Sequence, residues 1–180
     1  MENPPRYVPS PEKALETILW LANEWPGIDV YHVVKAAFYA DKHHVSEYGR
    51  PIVGDQYEAA PFGPLPQVIY RLLRHDPIEL LALETNGPLP FDVDSSYRVT
   101  GQREANLRRL SESDVEALRQ GLRRVRGKTF RELYDETHAD PAYQRASGIR
   151  MDYREFIDDS DPEKAEKAEY LAEVASIAVL

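Results

Sequence analysis

Between residues 41 and 55 the chain carries Asp41, His43, His44, Arg50 and Asp55, with Tyr48 among them. Carboxylates and imidazoles this close together are the groups that move protons or hold a divalent metal. The metal reading fails on direction. Adjacent side chains on a helix point about 100° apart, so His43 and His44 cannot both face one ion as an i, i+4 pair does, and no HExxH pattern occurs. His32, further back, does not repair this. The pair reads as a solvated helix end with one histidine tucked into the fold, and neither a metal nor a cofactor is expected.

Acid–base work by Asp41, His44, Arg50 and Asp55, with Tyr48 nearby, would make the chain a small hydrolase or transferase. The residue types allow it, but the sequence places no nucleophile or second carboxylate at a defined distance. The same types also supply an Arg50–Asp55 pair bracing an irregular loop, because a guanidinium can satisfy a carboxylate and loop carbonyls together. That bracing is the preferred reading. Gly49, Gly54 and Gly63 match neither GxGxxG nor a Walker loop, so no phosphate cradle is indicated.

A third possibility is nucleic-acid binding. Residues 103–131 hold nine basic and four acidic side chains, whereas residues 152–180 hold three basic and nine acidic ones. Either the first segment is a basic face for RNA or an acidic protein, or both are solvated helix faces that neutralise each other, which is preferred. The formal net charge of −9 argues against general phosphate binding, and no helix carries the exposed Arg/Asn/Gln-rich face of a DNA reader.

The elements that must position these residues follow from turn and cap signals. Ser10-Pro11-Glu12 starts a helix that Trp25-Pro26-Gly27 ends. Asp29 caps a second, running through about Ser46, and the two should pack as an antiparallel pair. A third spans Pro64 to Arg74 and is interrupted by Asp76-Pro77. Phe91–Val93 and Tyr97–Thr100 form a hairpin whose edge should pair with Gln56–Ala60. Ser113 and Glu116 have capping-box spacing at the start of the next helix. Thr129 and Glu132 repeat it, with Phe130, Leu133 and Tyr134 facing inward and His138 at the helix end. Asp161-Pro162 opens a last helix running nearly to Leu180, whose apolar end could close the core or serve as a docking or protease-recognised tail. With 180 residues, 42% hydrophobic content and no cysteine, one globular domain in a reducing compartment is expected, without leader or membrane span, and cytoplasmic.

With FYADKHHVSEYGRPIVGDQYEAAPFGPLPQVIYRLL in view, the chain resembles the Panacea family, whose members include SocA-like antitoxins. The motifs are Tyr39-Ala40-Asp41 with His44, Tyr48-Gly49-Arg50-Pro51, Gly54-Asp55 with Tyr57, and Gly63-Pro64. Further on come Leu110-Ser111 and Thr137-His138-Ala139-Asp140-Pro141-Ala142-Tyr143, where Tyr143 stands in place of the family's usual tryptophan. The resemblance covers roughly residues 13–147. It implies an antitoxin that neutralises a cognate protein toxin by direct contact, with no catalytic residues to carry over. One branch of the family delivers its toxin to the ClpXP protease, and the toxins are diverse.

The expectation is therefore a mainly α fold, a single compact helical domain with a small antiparallel β-hairpin or sheet, α+β by strict count. Residues 1–9 form an N-terminal arm, 10–150 the antitoxin domain, and 151–180 an acidic helix packed on or extending it. The function expected is antitoxin, not enzyme, and the partner a toxin encoded by a neighbouring gene, with a ClpXP-type protease as a further partner, no membrane, and nucleic acid disfavoured. Tyr48, Arg50, Tyr57 and Phe62 are the expected toxin contacts, being the residue types that dominate interfaces. Asp41, His44, Gly49, Pro51, Gly54, Asp55, Gly63, Pro64, His138, Asp140 and Pro141 are expected to serve architecture.

Overall fold

The computed structural model describes residues 4–83, 87–146, 148–175 and 177. The ends of the N-terminal arm and of the apolar tail, residues 1–3 and 178–180, lie outside the described residues, as do Thr85 and Asn86 ahead of the second hairpin.

Helix α1 spans Pro11–Glu24 and is capped by Ser10, whose hydroxyl accepts from the Lys13 N–H. Helix α2, Val30–Tyr48, starts at Asp29 and stops at Gly49, which is left-handed at φ 67°. A Cβ on Gly49 would sit 2.6 Å from the Tyr170 ring, so both conformation and contact require glycine there. Strands β1, Tyr57–Ala60, and β2, Gly63–Pro66, form a tight antiparallel hairpin around Pro61-Phe62. Helix α3, Gln67–Leu73, follows directly.

The expected start of α3 at Pro64 is thus corrected to Gln67, because Gly63–Pro66 is spent on strand pairing. Asp76-Pro77 does more than interrupt: Asp76 accepts from the Ile78 N–H and starts helix α4, Pro77–Ala82. Strands β3, Phe91–Val93, and β4, Val99–Gly101, form the second hairpin as expected, but its outer partner is different. Val99 N donates to Ile28 O and Val30 N to Tyr97 O, so the α1–α2 connection borders it rather than β1. The open side of β1 is taken by residues 149–151, with Ala59 N bonded to Ile149 O and Met151 N to Tyr57 O.

Helix α5, Glu112–Val125, begins with a reciprocal capping box between Ser111 and Asp114, two residues before the expected Ser113–Glu116 box. Helix α6, Phe130–His138, does use Thr129 and Glu132. Helix α7, Pro141–Gln144, is capped by Asp140, whose other oxygen takes Lys42 Nζ at 2.6 Å. A 3₁₀ turn, Tyr153–Phe156, precedes α8, Lys164–Ala175, which starts later than Asp161-Pro162 suggests. Among the described residues no helix is long and apolar enough to cross a membrane.

The main core lies where α1, α2, α3 and α5 meet, and a second cluster around Phe38, Tyr57, Tyr153 and Phe156 lies under β1. The most extensive packing of α2 is with α5, not with α1. A Cβ on Gly121 would fall 2.2 Å from Ala36 O and 2.8 Å from Ala40 N, so α5 crosses α2 in backbone contact. Each charged segment finds counter-ions close by instead of neutralising the other. Arg103 pairs with Glu16, Arg124 and Lys128 with Glu136, and Arg131 with Asp135, whereas Glu155 and Asp159 take Arg145 and Lys164.

The crossing gives a test of opposite sign to helix propensity. In an open helix Gly→Ala stabilises by about 1 kcal/mol. Here Gly121→Ala should instead cost roughly 2–4 kcal/mol, since two backbones must separate. Urea denaturation measures it.

Candidate functional site

The residues first suspected of chemistry are spent on architecture. Asp41, 2% exposed, accepts the Ile52 N–H at 2.7 Å and the Tyr57 hydroxyl at 2.9 Å. Asp55 accepts from Gln56, Val68 and Ile69 N–H groups at 2.7, 2.9 and 3.0 Å. It thereby caps α3, whose own N-cap position is Pro66 and offers no side-chain bond. Burial pushes Asp55 up to about 7 against these hydrogen bonds, and Asp41 up to about 6.

Arg50 does not pair with Asp55, which corrects the expected brace. Its guanidinium reaches Asp114 at 3.1 Å and Pro51 O at 3.0 Å. Asp114 also takes Lys13 at 2.9 Å, the Ser111 N–H at 2.9 Å and lies 3.3 Å from His44 Nε2. Burial favours the neutral acid, but His44, Lys13 and Ser111 together outweigh it and hold Asp114 well below the usual carboxylate range. His44 is fully buried, with Nδ1 donating to Arg50 O and Nε2 against Ser113 Oγ, while His43 is not part of the cluster. None of Asp41, His44, Arg50 or Asp55 lines the large cleft described next.

The four expected contact residues do not share a surface. Tyr57 is 2% exposed and belongs to the second core. Tyr48 is half exposed, tilted over His44 and beside the α8 residues Glu166 and Tyr170. Phe62 stands apart at the β1–β2 tip and is 64% exposed.

That tip is held from outside. The Tyr143 hydroxyl donates to Ala60 O at 2.9 Å, His138 Nε2 approaches Pro61 O at 3.2 Å, and the Tyr31 hydroxyl donates to Phe62 O at 3.3 Å. Lys35 Nζ donates to Pro64 O at 2.9 Å. Helices α7, α6 and α2 thus fix the tip's backbone while the Phe62 ring stays in solvent. Beside it opens a cleft of about 710 Å³, walled by α2, the tip, α3, the β3–β4 turn and the start of α6. Phe130, expected inside, is instead 48% exposed and lines this cleft, 4.5 Å from the Tyr31 ring and 6.1 Å from Phe62. Tyr97, at positive φ in the β3–β4 turn, borders the cleft on another side.

Lys35 lies at the floor, 1% exposed. Burial pulls its ammonium from the ordinary 10.5 down to about 7. Sequence reasoning missed it, although a lone lysine inside VVKAAFYA was a visible signal. A lysine whose pKa falls on folding binds fewer protons in the native state between pH 7 and 10.5, so stability rises with pH across that window. From pH 7 to pH 9 the wild type should gain about 2 kcal/mol, at about 1.4 kcal/mol per unit. Lys35→Met should be the more stable protein at pH 7, by roughly 2–4 kcal/mol after the orphaned Pro64 carbonyl is discounted, and should lose that slope. Urea titrations at the two pH values measure both.

Comparison with known proteins adds one match. No curated protein matches the chain, and no solved structure does. The sequence model described as antitoxin SocA-like, Panacea domain, matches residues 33–144, from inside α2 to the end of α7. That interval contains the buried Asp41, Asp55 and Asp114, the clamped hairpin tip and three of its four clamping side chains, Lys35, His138 and Tyr143, while the fourth, Tyr31, lies just before it. Spanning more than half of the 180 residues, the match shows that this chain belongs to the SocA-like Panacea antitoxin family.

Proposed function

We propose that the chain is the antitoxin of a toxin–antitoxin pair and neutralises a toxin, encoded by a neighbouring gene, by direct contact through the cleft beside Phe62, with no turnover of its own. The observation that carries this reading is the tip: four side chains immobilise its backbone while its aromatic side chain is left 64% exposed. A solvent-facing ring on a fixed backbone contributes nothing to the core it sits over. It does meet what a binding anchor requires, since little conformational freedom remains to be lost on association. Aromatic side chains in pockets are the usual centres of interface energy.

The test is co-expression with the neighbouring gene. Wild type should restore growth, and Phe62→Ala should lose rescue and weaken complex formation at least about thirtyfold, or ~2 kcal/mol, with an unchanged melting temperature. Tyr48→Ala should retain rescue. Rescue by Phe62→Ala equal to wild type would sink this reading. Toxin abundance, followed in the same cells, separates occupancy, which leaves it unchanged, from delivery to a ClpXP-type protease, which lowers it only when that protease is present.

A further inference from the structure

The floor of the cleft holds a charge that the fold does not balance. An ammonium has three N–H donors, and Lys35 directs one to Pro64 O at 2.9 Å, with the Tyr31 ring 4.8 Å away. Among the described residues no carboxylate pairs with it. A buried ammonium normally has a counter-ion and acceptors for its donors, because desolvation otherwise costs too much. The rim adds Arg74 and Arg98, against Asp29 alone. Asp29 is already engaged by His32, at 2.7 Å to the ring and 2.9 Å to the backbone N–H. A locally positive cleft therefore sits in a protein of net charge −9.

The space beside the lysine is also specific. A Cβ on Gly63 would lie 2.9 Å from Lys35 Nζ and 2.7 Å from Thr137 Oγ1, so only glycine lets the hairpin backbone pack this closely against the ammonium on that side. One deep cation with two donors to spare suits a carboxylate. A phosphate, with three oxygens to satisfy, calls for more donors than Lys35 provides at the floor, and Arg98 on the rim is already bonded to Gly27 O at 3.0 Å. Next to it the rings of Tyr31, Phe62 and Phe130 offer an apolar wall.

We propose that the cleft recognises a carboxylate carried beside an aromatic or bulky aliphatic group, with Lys35 receiving the carboxylate and the rings receiving the apolar group. On the toxin this is one apolar residue next to an acidic side chain or to the chain's C-terminal carboxylate. The inference rests on the reading that this cleft receives the toxin.

N-acetylphenylalanine and N-acetylphenylalaninamide, which differ by that one charge, are titrated into the full chain and followed by NMR. The acid should shift Phe62 and Tyr31 ring signals and bind at least about tenfold more tightly than the amide. Lys35→Met and Lys35→Gln, checked for folding by circular dichroism, should abolish the preference. Equal binding of the two probes by the wild type, or a preference surviving in both variants, overturns the carboxylate site. In co-expression Lys35→Met should lose rescue. If Phe62→Ala loses rescue while Lys35→Met keeps it, the carboxylate inference fails and the toxin-binding reading stands. If the acid preference holds but neither substitution alters rescue, the carboxylate comes from another molecule and the toxin-binding reading fails.

Discussion

The fold depends on a loop that runs through its interior. Pro51 to Asp55 are all buried, yet they belong to no helix or strand, so each backbone group there must find a partner away from water. Ile52 N goes to Asp41, and Val53 O takes the Ser10 N–H that begins α1. Pro51 O takes Arg50, Asp55 O takes the Tyr153 hydroxyl, and Arg50 O just before the loop takes His44. The loop is thus a junction to which α1, α2 and the 3₁₀ turn are each tied by at least one hydrogen bond.

Three buried carboxylates make that junction possible. Asp41 and Asp55 serve backbone, and burial raises both; Asp114 gathers Lys13, His44 and Arg50, and is lowered. The opposite directions follow from the neighbours, since N–H dipoles and a tyrosine offset desolvation less than adjacent cations do. Asp114 links α1, α2 and the loop to the first turn of α5, where it also completes the capping box. Breaking one partner would leave charge stranded inside, which costs more than the intact cluster contributes.

How much of this was legible depended on the range of each interaction. Ser10, Asp29 and Thr129 announced their helices because a cap acts within three residues. Pro64 to Pro66 read as a helix start because proline suits the first turn, but its place in β2 is decided by pairing with Tyr57 to Ala60. Arg50 was assigned the nearer acid, Asp55, while the fold gave it Asp114, 64 residues on. The family motif pointed to Asp41 and His44 as structural candidates, whereas the cleft joins α2, two hairpins, α3 and α6 and has no local signature. Phe130 was drawn inward by its apolar character, although only Leu133 of that trio is fully buried.

The same division separates scaffold from recognition. Asp41, His44, Arg50, Asp55 and Asp140 spend their polar atoms inside the protein, and His138 and Tyr143 spend theirs on the hairpin tip. A pattern built from such residues specifies the support and says little about what the support presents. Phe62 and Tyr97, each more than 60% exposed, hold no comparable structural post, and their side chains could change with small cost to the core. Lys35 is the exception, a buried side chain whose charge opposes folding and whose only hydrogen bond among the described residues goes to one carbonyl. Stability alone would favour an apolar residue there, so the fold itself gives no reason for the lysine, in keeping with the binding role proposed for the cleft.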